Sequence, residues 1–309
     1  MKKAFTLIEL LVVIGIIAVL MGVLLSALSG TSDAALNAQC LSNMKNLATA
    51  AQAYGSAKGH FPLAGSVEKS GVQVSVGNNG SVKRNYWELP GWISWNSKGA
   101  YDSSPKSHVA SADWFVSAYN TEHTVREHCY TNAALWKYIA GNSEVFRCPV
   151  HAIWARKKLG PQGQTPPAWS YVMNSYFGWD SSQGQRPKPE SWYGIEYTQL
   201  KHAERRLLLA ELPFAGYEGA DIDTSSGSGT VNDCTLQYRD KDGGETIGFN
   251  HTAGKRDKCA HLVFADGHTE TILLPKKGAD RNNLRELTKW LCEGKDVSFN
   301  GDRYEELDN

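Results

Sequence analysis

Lys2-Lys3-Ala4-Phe5-Thr6-Leu7-Ile8-Glu9-Leu10-Leu11-Val12-Val13-Ile14 opens an apolar run that continues to Leu28, interrupted by only three clearly polar residues, Thr6, Glu9 and Ser26. As a helix rising about 1.5 Å per residue, Phe5 to Leu28 would span roughly 36 Å, more than the ~30 Å hydrocarbon core of a bilayer. A removable signal peptide has an apolar region of only about 7–15 residues, so this run reads as a retained membrane helix with Lys2 and Lys3 on its cytoplasmic flank. Glu9 is the exception within it. A carboxylate inside such a helix costs about 2.5–3.5 kcal/mol on insertion scales, so either it has a partner and a function, or it lies at the membrane interface.

Downstream, Ser29-Gly30-Thr31-Ser32-Asp33 is a cluster of capping and breaking residues that either separates two helices or softens one. Apolar residues then recur at Leu36, Cys40, Met44, Leu47, Ala51 and Tyr54, one stripe of an amphipathic helix, with Asn37, Asn43, Lys45, Asn46 and Gln52 mostly off it. Gly55, Gly59 and Pro62 end the pattern. The expected element is a long stem whose first half lies among apolar neighbours and whose second half packs on the chain's own body.

The chain has 309 residues, 32 basic and 32 acidic, with no basic stripe beyond Arg156 to Lys158 and Arg205 to Arg206. Zero net charge gives no electrostatic footprint for a phosphate backbone, and no nucleic-acid partner is expected. Six cysteines at 40, 129, 148, 234, 259 and 292 contain no C-x-x-C pair, which argues against a zinc ribbon or a thioredoxin-like motif and permits up to three disulfides in an exported body.

From His60 onward the pattern is α+β and rich in loops. Gly71 to Ser81 and Gly219 to Gly229 read as flexible loops or long turns. Thr131 to Ala140 reads as a short helix ended by Gly141, and Asn283 to Cys292 as another stopped near Gly294. Leu207 to Ala210 is a strand candidate. Ala260 to Ala265 and His268 to Leu273, joined by Asp266-Gly267, predict a hairpin with a two-residue turn in which both turn positions take positive φ.

The opening stretch resembles the class III leader and mature start of type IV pilins and type II secretion pseudopilins. The resemblance implies a cut by prepilin peptidase between Ala4 and Phe5, methylation of the new Phe5 amine, and a register role for Glu9, pairing with the Phe5 amine of a neighbouring subunit. Ala4 departs from the Gly more common before the cut, and the apolar helix lacks the proline that pilins often carry.

The body resembles large pilin-like proteins named for a C-terminal H-x9-D-G motif. Four segments carry the likeness: Cys40 to Leu47, Val145 to Pro149, Ser170 to Tyr176, and Phe264 to His268. The closing motif departs from the pattern, with fourteen residues between His251 and Asp266; Lys255 to Cys259 reads as an insertion in the loop before the strand, which puts any shared role of His251 in doubt.

The implied fold is α+β and pilin-like, a long N-terminal helix on an antiparallel sheet with loop-rich insertions. The division is a leader at 1–4, a stem at 5–58 with 5–28 in the membrane, and an extracytoplasmic body at 59–309. The implied function is that of a pseudopilin, a structural filament subunit of a type II secretion system. It would sit as a single-pass protein of the cytoplasmic membrane, with its body in the periplasm or outside. Its partners would be prepilin peptidase, other copies or related pseudopilins, and the secretion system's inner-membrane platform. A surface pilus subunit or ligand-binding adhesin is the alternative, and a tethered metal enzyme a more distant one. Cys40 and Cys148 both lie in family-like segments and would pair to fix body to stem, with two buried free thiols the competing expectation.

Other chemistry is weaker. His251, Cys259, His261, Asp266 and His268 are metal-ligand types close in sequence, with His261 and His268 expected on one face of the hairpin, but strand and turn roles account for them. Asp221, Asp223 and Asp233 resemble calcium-loop residues, yet a run this rich in Ser and Gly reads first as a solvated loop. No G-x-S-x-G, Walker or Rossmann fingerprint is present, so no enzymatic activity, cofactor or metal is expected. Ten Trp and thirteen Tyr, among them Trp87, Trp92, Trp95, Trp169, Trp179 and Trp192, read mainly as core and loop-packing residues.

Overall fold

The computed structural model describes residues 7–64, 67–75, 81–89, 91–93, 127, 129–131, 133–158, 167–178, 195–198, 200–214, 234–236, 238, 245–254, 257–275, 281–300 and 302–307, with backbone alone at 23–32, 67–75, 81–89, 158 and 281. One helix, α1 (Leu7–Lys58), runs for 52 residues, about 78 Å at 1.5 Å per residue. The Ser29 to Asp33 cluster does not interrupt it. Gly59, at φ +81°, ends it with a left-handed residue. Beyond Leu36 the expected stripe is the buried one: Cys40, Met44, Leu47 and Ala51 are fully buried, Leu36 and Tyr54 partly so.

The body is α+β, as expected. A first hairpin pairs β1 (Val67–Ser75) with β2 (Ser81–Leu89), so the supposed loop from Gly71 to Ser81 begins as strand. Helix α2 (Pro149–Lys158) follows. The main sheet contains β3 (Tyr171–Asn174), β4 (Leu207–Glu211), β5 (Thr235–Leu236), β6 (His251–Ala253), β7 (Asp257–Phe264) and β8 (Thr269–Leu273). All its pairings are antiparallel except β3 with β5. Helix α3 (Arg281–Glu293) and a small β9 (Val297–Phe299) and β10 (Tyr304–Glu306) pair close the chain. Every residue of β4 is buried; α1 and α3 both pack against it.

β7 organises the region under α1. Its one edge pairs along Cys259 to Val263 with β8, while its other edge is shared: the end at Val263 and Phe264 pairs with β4, and the start at Asp257 to Cys259 pairs with β6. Asp257 to Cys259 are therefore strand, not an inserted loop. The β6–β7 pairing sets His251 opposite Cys259.

Two local expectations change. The Asp266-Gly267 hairpin forms, but only Gly267 has positive φ (+89°). Gly267 N–H donates to Phe264 O, and Phe264 N–H to His268 O. The turn is therefore longer than two residues, with the single left-handed position of a bulged loop. Thr131 to Ala140 is not one α-helix: a 3-10 turn covers Trp136–Ile139 and ends at left-handed Ala140 and Gly141. α3 matches the Asn283 to Cys292 expectation and begins two residues earlier.

Candidate functional site

The outer half of α1 is an apolar rod. Twelve large apolar side chains between Leu7 and Met21 are 43–80% exposed, all round the helix, which is the pattern of a segment meant for an apolar surrounding. Glu9 lies in its first turn. Ala4 and Phe5 fall outside the described residues. Among those described, no helix is long and apolar enough to cross a membrane; described side chains of this segment stop at Gly22, whereas the apolar sequence continues to Leu28.

Where the inner half of α1 docks, it contributes polar groups as well as its stripe. Asn37 Nδ2 donates to Thr252 O at 2.9 Å, Asn43 Nδ2 to Arg147 O at 2.9 Å, and Gln52 Nε2 to Ala265 O at 3.3 Å. Residues that sequence placed off the stripe thus grip three separate backbone segments of the body.

Beneath this contact, Cys40 of α1, Cys148 just before α2, Glu211 at the end of β4 and His251 at the start of β6 form a fully enclosed group, their ligand atoms all within 4.8 Å of one another. Cys40 Sγ is 3.6 Å from Glu211 Oε1, Cys148 Sγ 3.5 Å from His251 Nε2, and His251 Nε2 3.1 Å from Glu211 Oε2. A further layer orients them. The Tyr171 hydroxyl donates to Cys40 Sγ at 3.4 Å, and Asn250 Nδ2 donates to Glu211 Oε2 at 3.1 Å. Because Asn37 spends its amide hydrogens on Thr252 O, its Oδ1 meets His251 Nδ1, at 2.8 Å. An amide oxygen only accepts, so Nδ1 donates to it, and Nε2 is the atom turned to the cluster.

Charge in this enclosure is strongly coupled. Burial, the largest influence, works to raise the Glu211 carboxyl, but the His251 charge and the hydrogen bonds from His251, Cys148 and Asn250 together outweigh it and hold it down at about 2. Burial, the largest influence, works to lower His251, but the Glu211 charge together with the hydrogen bonds to Cys40 and Glu211 and the Cys40 charge outweighs that and raises it to about 10. The protein's own groups thus satisfy one another as a buried ion pair, whose desolvation is offset by close geometry and by Asn250 and Asn37. Burial pushes the Cys148 thiol well above the ordinary range. Next to the pair, His261 is 2% exposed, with its ring centroid 4.3 Å from that of His251. Burial, then the His251 charge, lowers it to about 4.

The structure places Cys40 and Cys148 in one cluster as buried thiols. His251 joins them. His261 and His268 do not share a site: His261 is buried, with Nδ1 2.9 Å from Thr271 Oγ1, whereas the partly exposed His268 lies 2.6 Å from Asp266 Oδ1 and 3.3 Å from Glu270 Oε1. Asp266 and Gly267 form the turn. Cys259 is buried but outside the four-residue group. Asp221, Asp223 and Asp233 lie outside the described residues, as do Trp95, Trp179, Trp192 and the Trp87 side chain; Trp92 and Trp169 are in the core. Sequence reasoning missed Glu211, Tyr171, Asn37 and Asn250. For Glu211 a signal existed, a carboxylate standing inside the run Leu207-Leu208-Leu209-Ala210-Glu211-Leu212-Pro213-Phe214.

Residues 1–25 match the family described as the prokaryotic N-terminal methylation motif. No curated protein and no solved structure matches the chain. A prepilin-type motif implies processing by prepilin peptidase and pilus-like assembly.

Proposed function

We propose that this chain is a structural subunit of a type IV pilin-like filament, and within that class a pseudopilin of a type II secretion system. The observation that carries the reading is the rod from Leu7 to Met21, apolar and exposed on every side, at the end of a helix whose other end is gripped by the body. Such a surface needs lipid before assembly and neighbouring rods after it. The methylation motif over the same residues supplies the route from one to the other. Prepilin peptidase cuts at Ala4-Phe5, the helix holds the body outside the cytoplasmic membrane, and Glu9 sets the stagger between subunits. The body acts mechanically rather than as an enzyme, since its cluster of thiols, imidazole and carboxylate is sealed from substrate.

N-terminal sequencing and intact mass of the mature chain test this reading. The expected start is N-methylated Phe5; a mature chain starting at Met1 or beyond Leu28 would refute it. A secretin and secretion ATPase encoded beside this gene would support the pseudopilin assignment over a surface pilus, and pilus-retraction genes there would reverse it.

A further inference from the structure

We propose that Cys40, Cys148, Glu211 and His251 form a structural zinc centre that clamps the stem helix to the body. This goes beyond the filament reading and does not depend on it. Zinc binds sulfur at about 2.3 Å, imidazole nitrogen at about 2.0–2.1 Å and carboxylate oxygen at about 2.0–2.2 Å; a tetrahedron on those lengths has edges of about 3.5–3.6 Å from sulfur to nitrogen or oxygen and about 3.3–3.5 Å from nitrogen to oxygen. The corresponding separations are 3.5 Å, 3.6 Å and 3.1 Å. Four donors from four chain segments lie within 4.8 Å of one another, and three of the six separations are close to those of a zinc tetrahedron, with Glu211 able to offer either oxygen.

The surroundings fit a metal as well as the corners do. A ligating histidine usually gives its second ring N–H to a carbonyl or carboxylate, which fixes the ring. Asn37 Oδ1 does this for His251, and Asn37 is itself held by Thr252 O. Two thiolates and a carboxylate around a divalent ion leave one excess negative charge in a dry site. The Tyr171 hydroxyl on Cys40 Sγ and the Asn250 amide on Glu211 Oε2 donate toward that charge. The mixed sulfur, nitrogen and oxygen donor set selects zinc over calcium or magnesium.

All four ligands are buried and all four corners are filled by protein, the closed form of a structural rather than catalytic zinc site. What it joins is specific. Cys40 lies on the stem, the other three on the body, so the ion ties the inner end of the assembly helix to the start of α2 and the ends of two strands that meet on β7. Load on the stem would reach the sheet through metal–ligand bonds as well as through side-chain packing.

The test uses the full chain, extracted in detergent, kept reduced without a metal-binding reductant, incubated with zinc sulfate and freed of excess. Elemental analysis should find about one zinc per chain, and C148S and E211Q should each retain it at least about tenfold more weakly. Cobalt(II) loaded instead should show sulfur-to-cobalt charge transfer and the strong visible bands of a tetrahedral ion in the wild type. In C148S the charge-transfer band should weaken, while E211Q, similar in shape, should keep it and bind less tightly. N37A, which reaches the ion only through His251, should lower cobalt affinity about tenfold with the band positions unchanged. Wild-type chain that binds neither ion would overturn the proposal. So would a mature mass short by the two hydrogens of a Cys40–Cys148 bridge, or a cobalt spectrum identical in wild type and C148S.

Discussion

His151, on the first turn of α2, is fully buried, with Nδ1 2.9 Å from Ser170 Oγ and its ring stacked on Phe214 at 4.1 Å. Burial lowers its pKa to about 3, against an ordinary value of 6.5. The folded chain therefore holds it neutral where the unfolded chain would protonate it, so its contribution to stability is complete above the unfolded value and is lost as pH falls from about 7 toward 3. Linkage gives a loss of about 2 kcal/mol between pH 7 and pH 5 from this residue. In urea titrations, H151Q should lack that part of the wild-type pH slope; equal slopes would contradict the assignment. The same scale shows why the sealed cluster was only half legible. Cys40 and Cys148 stood out as thiols in recognisable segments and His251 through its motif. Glu211 is a single carboxylate in an apolar strand, and nothing in its own neighbourhood says which cation it faces. His251 and Cys40, at separations of 40 and 171 residues, are brought to Glu211 by the sheet, not by local pattern.

At the scale of elements, the docking of α1 follows from its stripe, and the periodicity that predicted Met44, Leu47 and Ala51 as buried holds because a helix on a sheet needs one continuous apolar face. Leu47→Ala should therefore cost about 2–5 kcal/mol, read from the denaturation midpoint, and an unchanged midpoint would mean that the stem does not pack on the body. The strand arrangement was less legible. The β8 hairpin followed from turn residues, whereas β6 is a three-residue strand with no alternation to detect. Its approach to β4 depends on Gly248, whose N–H donates to Glu211 O at 2.7 Å. A Cβ at this position would lie 2.5 Å from both the carbon and the oxygen of the Leu212 carbonyl. Since backbone cannot move aside as a side-chain tip can, Gly248→Ala should destabilise by about 1–3 kcal/mol. It should also loosen the hold of Asn250 on Glu211, two residues further along. A G248A chain with the wild-type midpoint would show that this close approach carries no energetic weight.

Across the whole molecule, the two halves of α1 face opposite demands: the inner half satisfies its apolar and amide groups against the body, while the large apolar side chains from Leu7 to Met21 stand exposed. Apolar packing among parallel rods is tolerant of sliding, because one Leu, Ile or Val meets another in many staggers. A charge is not tolerant. On the proposed reading, Glu9 paired with the amine of a neighbour's Phe5 would favour the stagger that joins them and would penalise every other by leaving charge without a counterpart in an apolar bundle. Membrane insertion and assembly should therefore separate on substitution. Glu9→Ala should fractionate with membranes as the wild type does, since the apolar run alone sets partitioning, yet lose assembly. Stranding the neighbour's amine costs about 3–5 kcal/mol, more than about a hundredfold in subunit affinity. Glu9→Gln keeps the shape and removes the charge, and should fail in the same way if the pairing is ionic. The measurement is cross-linking of membranes from cells expressing each variant. Wild-type ladders from E9A would remove the register role altogether, while full ladders from E9Q alone would replace the ion pair with a hydrogen bond.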